Sequence, residues 1–329
     1  MPLATNHAAH QSRFPSAFAA AVHDGLTHSP QKELPSMYLY DEVGSALFEV
    51  ITALPEYGVT RAEERVLLAH SADIVAELPR NVTVAELGSG SGRKTRRILE
   101  ALSKKRPNGA TEYCPIEISP AALQLCKREL GDIERVAIVG YERDYLAGLA
   151  EVSANRREGE VLLVLFLGST IGNFSRLAAT RFLKSIRGML KPGDALLLGM
   201  DLLKPLETLI AAYDDPIGVT AAFNLNLLAR INRELDADIP LDAFKHLARF
   251  NPDARSIEMH LRATRPVKAT IRAADLTVEF REGETIWTES SHKYSADEVG
   301  PLASDAGFRC ARQWTDDEWG FAESLLVAG

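Results

Sequence analysis

The chain has little cysteine, no long apolar run and no excess of positive charge, and each shortage removes a class of protein. Its three cysteines, Cys114, Cys126 and Cys310, are too few and too irregularly spaced for a disulfide framework or a zinc cluster. They suit a reducing compartment. The longest apolar run, Val161 to Leu167, falls far short of the roughly 18 residues that mark a membrane span. The opening residues, MPLATNHAAHQSRF, hold no apolar core, so no secretory signal and no membrane partner are expected. With 37 Lys and Arg against 45 Asp and Glu, the net charge is −8. A broad basic footprint for nucleic acid is therefore not expected. The histidines show no metal-like spacing, so no metal is expected either. The remaining expectation is a cytoplasmic, monomeric protein with a small-molecule partner.

What is present is ordinary globular composition, 46% apolar and 25% charged. At about 100–200 residues per domain, the chain holds two domains or one enlarged one. Before residue 80 the reading finds helices, at Phe14 to Leu26, Glu42 to Thr52 and Thr60 to Leu78, and no strand. Thr60 with Glu63 or Glu64 offers a capping-box-like start to the third. From Val82 the pattern changes to strand–helix alternation. Strands are predicted at Val82 to Leu87, Glu112 to Ile118, Val136 to Val139, Val161 to Leu167 and Ala195 to Leu198. Helices are predicted from near Lys94, from Pro120 and over Arg176 to Leu190. This rhythm predicts a doubly wound α/β sheet. It breaks after residue 204. Residues 205–247 read as mainly helical, and Ile257 to Ala263, Thr270 to Phe280 and Thr285 to Tyr294 as antiparallel strands. A helix over Ser295 to Ala306 and strands at Arg309 to Trp314 and Ala322 to Val327 close the chain.

The segment Glu86-Leu-Gly88-Ser-Gly90-Ser-Gly92 follows a predicted strand and opens a helix, at the edge of the crevice where doubly wound sheets bind ligands. Tight turns use glycine as readily as ligand loops do. Two acids sharpen the reading: Glu117 ends the next strand, where a carboxylate can take ribose hydroxyls, and Asp144-Tyr145 follows the third, where one can take an adenine amino group. The third glycine of Gly-x-Gly-x-x-Gly is replaced by Arg93, which disfavours a dinucleotide. Glu86-x-Gly-x-Gly is instead the pattern of S-adenosylmethionine-dependent methyltransferases.

Several long motifs in fixed order then resemble one family, the L-histidine Nα-methyltransferases of ergothioneine biosynthesis. They are Tyr40-Asp-Glu-Val-Gly-Ser-Ala-Leu-Phe, Leu54-Pro-Glu-Tyr-Gly-Val-Thr-Arg, Glu86-Leu-Gly-Ser-Gly and Phe166-Leu-Gly-Ser-Thr-Ile-Gly-Asn173. Tyr213-Asp-Asp-x-x-Gly-Val-Thr-Ala-Ala-Phe-Asn, Ile257-Glu-Met-x-Leu-Arg and Glu289-x-Ser-x-Lys-Tyr continue the series. The resemblance covers about residues 15–329. It implies a Rossmann-like doubly wound methyltransferase sheet with a second, discontinuous α+β substrate domain. The expected division is 61–204 and 294–329 for the S-adenosylmethionine-binding domain, and 1–60 and 205–293 for substrate recognition. It also implies transfer of three methyl groups in turn from S-adenosylmethionine to the α-amine of histidine, giving hercynine and S-adenosylhomocysteine.

By resemblance, Tyr40, Gly88, Lys94, Glu117, Asp144 and Tyr145 line the cofactor site, and Tyr57, Asn173, Tyr213, Met259, Glu289 and Ser291 the amino-acid site. Two departures stand out: Gly58-Val59 where family members carry a second aromatic and a proline, and Glu rather than Asp at position 117. The catalytic expectation is that Asn173 orients the amine and Tyr40 helps proton loss. Tyr57 and Tyr213 are expected to donate to the substrate carboxylate. Glu289 and Ser291, two apart on a strand, can point into one pocket and take the two imidazole nitrogens. The alternatives are an N-methyltransferase of another, aromatic amino acid, against which Glu289 and Ser291 argue, and a nicotinamide-dependent oxidoreductase, against which the missing glycine argues.

Overall fold

A computed structural model describes residues 14–79, 81–106 and 109–329. The chain forms two compact units. The first comprises the described residues up to Gly58 together with Pro205–Ser291, and the second Val59–Lys204 with His292–Gly329.

The first unit opens with helix α1 (Ala17–Thr27), a two-residue strand β1 (Lys32–Glu33) and helix α2 (Glu42–Ala53). Ser16 and Asp41 cap the two helices, accepting the N–H groups of Ala19 and Gly44 that helix geometry leaves unpaired. The chain then enters the second unit with α3 (Val59–Ala76) and alternates β2 (Val82–Leu87), α4 (Arg96–Lys105), β3 (Thr111–Glu117) and α5 (Pro120–Leu130). It continues through β4 (Val136–Ile138), β5 (Tyr141–Glu142), α6 (Tyr145–Asn155), β6 (Val161–Phe166), α7 (Arg176–Met189) and β7 (Ala195–Asp201). Back in the first unit come α8 (Leu206–Ala211), α9 (Val219–Glu234) and five strands: β8 (Phe244–Asn251), β9 (Ser256–Ala263), β10 (Val267–Ile271), β11 (Leu276–Phe280) and β12 (Thr285–His292). Helix α10 (Val299–Asp305) and strands β13 (Phe308–Asp316) and β14 (Phe321–Ala328) finish the second unit.

The second unit is a doubly wound sheet of order β13-β14-β7-β6-β2-β3-β4, with β5 also pairing β3. Strands β7, β6, β2, β3 and β4 run parallel, and β14 and β13 add antiparallel at one edge. The central strand β6 is apolar throughout because both of its faces are covered. On β6, Leu162, Val164 and Phe166 pack towards α6, α7 and α10, while Leu163 and Leu165 pack towards α3, α4 and α5. Strand order reverses between β2 and β6, so the loops after these two strands flank the topological switch point. No helix among the described residues is long and apolar enough to cross a membrane.

In the first unit β1, β12, β9 and β8 form one sheet in that order, and β10 and β11 form a separate hairpin. Here the structure corrects the sequence reading in three places. Phe244 to Leu247, expected as the end of a helical stretch, instead begins the strand Phe244–Asn251, which pairs antiparallel with β9. The single strand expected over Thr270 to Phe280 is two, separated by a turn at Arg272–Ala274 in which Asp275 takes a left-handed conformation. A short strand, β1, also lies within the first 80 residues, where none was expected. In the second unit a further correction concerns α3. It already includes Val59, so Thr60 sits inside the helix and cannot cap it. Glu63, expected with Glu64 as the possible partner of that cap, is fully buried.

Candidate active site

In the second unit the loop after β2 turns on three glycines with positive φ: Gly88 (75°), Gly90 (49°) and Gly92 (71°). This conformation favours glycine because a Cβ would meet the backbone. Gly88 has a further constraint, since a Cβ there would lie 2.9 Å from the Tyr145 hydroxyl. A Cβ at Gly90 would meet nothing within 4 Å, so the loop's crest faces open space. The Glu117 carboxylate reaches this loop. One of its oxygens accepts the Ile118 N–H (2.8 Å) and the Ser119 N–H (3.3 Å), and the other accepts the Gly90 N–H (3.4 Å). Asp144 is exposed and caps α6 through the Ala147 N–H at 2.9 Å, which uses one of its two oxygens. Tyr145 sets its ring edge-on to Phe166 and Phe182. Burial, reinforced by the Glu117 charge, pushes its phenol up to about 12, so it stays a neutral donor. A crest with room beside it, framed by fixed carboxylates and a neutral phenol, fits a nucleoside-bearing ligand.

Lys94 follows the loop and is ion-paired with Glu63. Burial works to lower the Lys94 ammonium's pKa, but the carboxylates of Glu63, Glu86 and Glu323 outweigh it and leave it above the ordinary lysine value. Glu63 also accepts the Gly168 N–H at 2.5 Å. Glu86 is buried beneath and accepts both the Thr95 hydroxyl, at 2.7 and 2.8 Å to its two oxygens, and the Tyr113 hydroxyl. Burial raises its pKa to about 7, against the opposing pull of Tyr113, Thr95 and Lys94.

The loop after β6 carries Asn173, at the end of a short 3-10 turn, Thr170–Asn173. Asn173 does not cap the next helix; Ser175 does, through the Ala178 N–H. Gly168 and Ser169 both take positive φ, 72° and 56°. The Ser169 hydroxyl accepts the Asp201 N–H at 2.8 Å, fastening the loop to the end of β7. Asp201 is itself buried between Lys293 (2.6 Å) and Lys204 (2.5 Å), with the Trp319 indole N–H donating at 3.1 Å. Burial alone would raise the Asp201 carboxyl, but the two ammonium groups hold it below the usual carboxylate range.

The first unit gathers the other candidates around aromatic rings. Tyr40 packs edge-on against Phe48 and Phe223, at 5.4 Å in each case. Phe48 continues to Tyr57, and Tyr57 to Tyr213, both at 6.2 Å. The Tyr213 hydroxyl, expected as a carboxylate donor, donates to the Ser291 hydroxyl over 2.7 Å. Glu289 and Ser291 are both buried on β12, and Met259 is buried on β9, where its carbonyl accepts the Thr288 hydroxyl. Tyr213 is also held through its backbone. Its carbonyl accepts His246 Nε2–H at 2.8 Å, and His246 Nδ1 accepts the Asn224 side-chain amide at 2.9 Å. Burial lowers the His246 pKa, so the imidazole is neutral and this tautomer is fixed by its two partners.

Sequence reasoning missed His246 and Asn224 as supports of Tyr213, and the buried acids Glu63 and Glu323. A signal for Glu323 was present: it is the one charged residue in the β14 segment Phe321–Ala328.

Among known proteins, the chain matches the family described as histidine-specific methyltransferase, SAM-dependent, over residues 18–328. It is 44% identical over 310 residues to the histidine N-alpha-methyltransferase of Mycobacterium tuberculosis (strain CDC 1551 / Oshkosh), covering 93% of each chain. It is 42% identical over 310 residues to the protein of the same name from Mycolicibacterium smegmatis, again covering 93% of each. The ergothioneine biosynthesis protein 1 of Neurospora crassa is 31% identical over 285 residues, covering 86% of this chain and 32% of that one. With nearly the whole chain matched, and the glycine loop set at the switch point of a doubly wound sheet, the protein belongs to the histidine-specific, S-adenosylmethionine-dependent methyltransferases.

Proposed function

We propose that the protein methylates the α-amine of L-histidine three times, giving hercynine for ergothioneine biosynthesis, as a cytoplasmic monomer. The observation that carries the substrate choice is the Tyr213–Ser291 hydrogen bond. Ser291 accepts a hydrogen bond from the tyrosine hydroxyl, which orients its own. Glu289, two residues earlier on the same strand, adds an acceptor. A donor and an acceptor side by side match the two nitrogens of a neutral imidazole. A phenyl ring offers these two groups no polar partner and an indole only a single N–H donor, which disfavours both.

In this reading Tyr40, Gly88, Lys94, Glu117, Asp144 and Tyr145 bind the cofactor. S-adenosylmethionine, when bound, supplies a methyl group already activated on a sulfonium. The chain's own residues then have a positioning task, since alignment of reacting groups can supply much of the rate. The side-chain carbonyl of Asn173 orients the amine. Tyr40 helps remove its proton, directly or through a water, because only the neutral amine can attack. Tyr57 donates to the substrate carboxylate without placing a cation beside the reacting centre. Tyr213 holds Ser291 in its donating orientation, and Met259 completes the apolar wall.

The test is mass spectrometry of histidine incubated with enzyme and S-adenosylmethionine. Successive gains of one, two and three methyl masses are expected. No gain with histidine alongside gain with tryptophan would overturn the substrate assignment. Asn173→Ala is expected to lower turnover strongly, and unchanged turnover and histidine affinity would remove Asn173 from the site.

A further inference from the structure

Three acids converge on one lysine beneath the glycine loop of the second unit. Glu63 comes from α3, Glu86 from β2 and Glu323 from β14, and Lys94 is the cation they share. Glu63 and Glu323 are both 0% exposed. They meet at Gly199 on β7, where a Cβ would lie 2.7 Å from a Glu63 oxygen and 3.0 Å from a Glu323 oxygen. Glycine at this position leaves the space the two carboxyl groups occupy. Glu63 has two cationic or N–H partners, Lys94 and the Gly168 N–H. Neither oxygen of Glu323 receives a hydrogen bond from any donor among the described residues. Two ionised carboxylates cannot share such a dry place, and one of them must hold a proton. The one with the ammonium and the N–H is the anion, and the one without donors is the acid.

We infer that Glu63 is a positioning residue of the cofactor subsite, an anion that clamps Lys94 and the Gly168 N–H together, and that Glu323 is a neutral acid donating its proton to Glu63. The clamp joins two loops that flank the switch point. Lys94 belongs to the loop after β2, which carries Gly88. Gly168 belongs to the loop after β6, which carries Asn173. Glu63 thus sets the register of the cofactor loop against the loop that carries the proposed amine-orienting residue. Burial and the neighbouring Glu63 charge push the Glu323 carboxyl well above the usual range, which agrees with the proton assignment.

The inference rests on the reading that Lys94 lines the cofactor site, and the experiment separates the two. Glu63→Gln, Glu323→Gln and Lys94→Met are compared by KM for S-adenosylmethionine, kcat and thermal melting. Glu63→Gln loses a charge-assisted contact, so KM for the cofactor should rise about ten- to hundredfold. Glu323→Gln keeps a neutral donor against Glu63 and should raise it far less. Removing Glu63 also leaves Lys94 with only Glu86 and Glu323 facing it, so the alkaline loss of cofactor affinity should move to lower pH. A structural role alone would not shift that limb. If Lys94→Met raises KM while Glu63→Gln leaves KM and its pH profile unchanged, the clamp is wrong and the site reading stands. If Lys94→Met changes nothing, the site reading and the clamp fall together. The unmodified protein gives a second readout should Glu63→Gln fail to fold. Its infrared spectrum at pH 9 should show the carbonyl stretch of a protonated carboxylic acid that disappears in Glu323→Gln. Absence of that band, or its survival in Glu323→Gln, would overturn the proton assignment.

Discussion

The hydroxyl of Tyr213 donates to the hydroxyl of Ser291 over 2.7 Å, with both residues less than a tenth exposed. The bond fixes the direction in which Ser291 can give its own proton. Tyr213→Phe and Ser291→Ala should each raise KM for histidine about five- to tenfold, the cost of one hydrogen bond. The double variant should be little worse than the poorer single one, because both remove the same relay. A double-mutant cycle on KM measures this, and fully additive losses would mean the two hydroxyls act separately.

Glu289 gives a prediction about selectivity rather than rate. A site built to hydrogen-bond its substrate can reject an analogue lacking the partner group by about 10⁴-fold or more. Glu289→Ala should lower kcat/KM for histidine and narrow the gap to phenylalanine and tryptophan. Competition assays with mixed amino acids read the ratio, and an unchanged ratio would place Glu289 outside the recognition site.

Glu86 predicts a pH dependence of stability. Its folded pKa of about 7 lies above the ordinary 4.5. Between those values the folded protein holds a proton that the unfolded chain has released. This contribution to stability is full below about pH 4.5 and is lost as pH rises through about 7. Its size is on the order of 3 kcal/mol. Urea unfolding at several values between pH 5 and 8 should show wild type losing stability relative to Glu86→Gln by about that amount. A difference that does not vary with pH would show that Glu86 is ionised throughout.

The Asp201 cluster predicts an asymmetry between its members. Asp201→Asn leaves Lys293 and Lys204 buried without their counterion and should destabilise the protein by about 3–5 kcal/mol. Lys293→Met leaves Asp201 still paired with Lys204 and should cost less. Chemical denaturation ranks them, and a larger loss from Lys293→Met would mean that packing of the lysine stem outweighs its charge.

The parts of the fold that were legible in the sequence share a physical cause. Strand β6 is covered on both faces, so its residues are apolar without interruption, and glycines and Pro120 mark where the chain turns. Phe244–Asn251 was not legible because most of its residues are only half-buried and interleave Lys, His and Arg with Phe, Leu and Ala, which blurs the period. The turn between β10 and β11 carries neither glycine nor proline; Asp275 takes the left-handed position instead. In the candidate site, the motif residues were legible because each belongs to a contiguous segment. The Glu63–Glu323 pair was not, because its members come from opposite ends of the second unit's sequence and only the sheet brings them to Gly199.

The discontinuity of the first unit sets an order of events during synthesis. Its opening segment, with α1, β1 and α2, leaves the ribosome about 150 residues before the segment from Pro205 to Ser291 that completes it. At about 5–20 residues per second, that is a wait of about 7 to 30 seconds. Throughout it, α2 lacks α9, whose Asn226 and Arg233 hold Asp41 at 2.7 and 2.6 Å in the finished protein. The second unit also waits, because β14 lies between β7 and β13 and is the last strand made. Loss of the final strand would therefore strip the sheet back to β7, so a nascent chain halted a few dozen residues early is a substrate for chaperones and proteases rather than a slightly shortened enzyme.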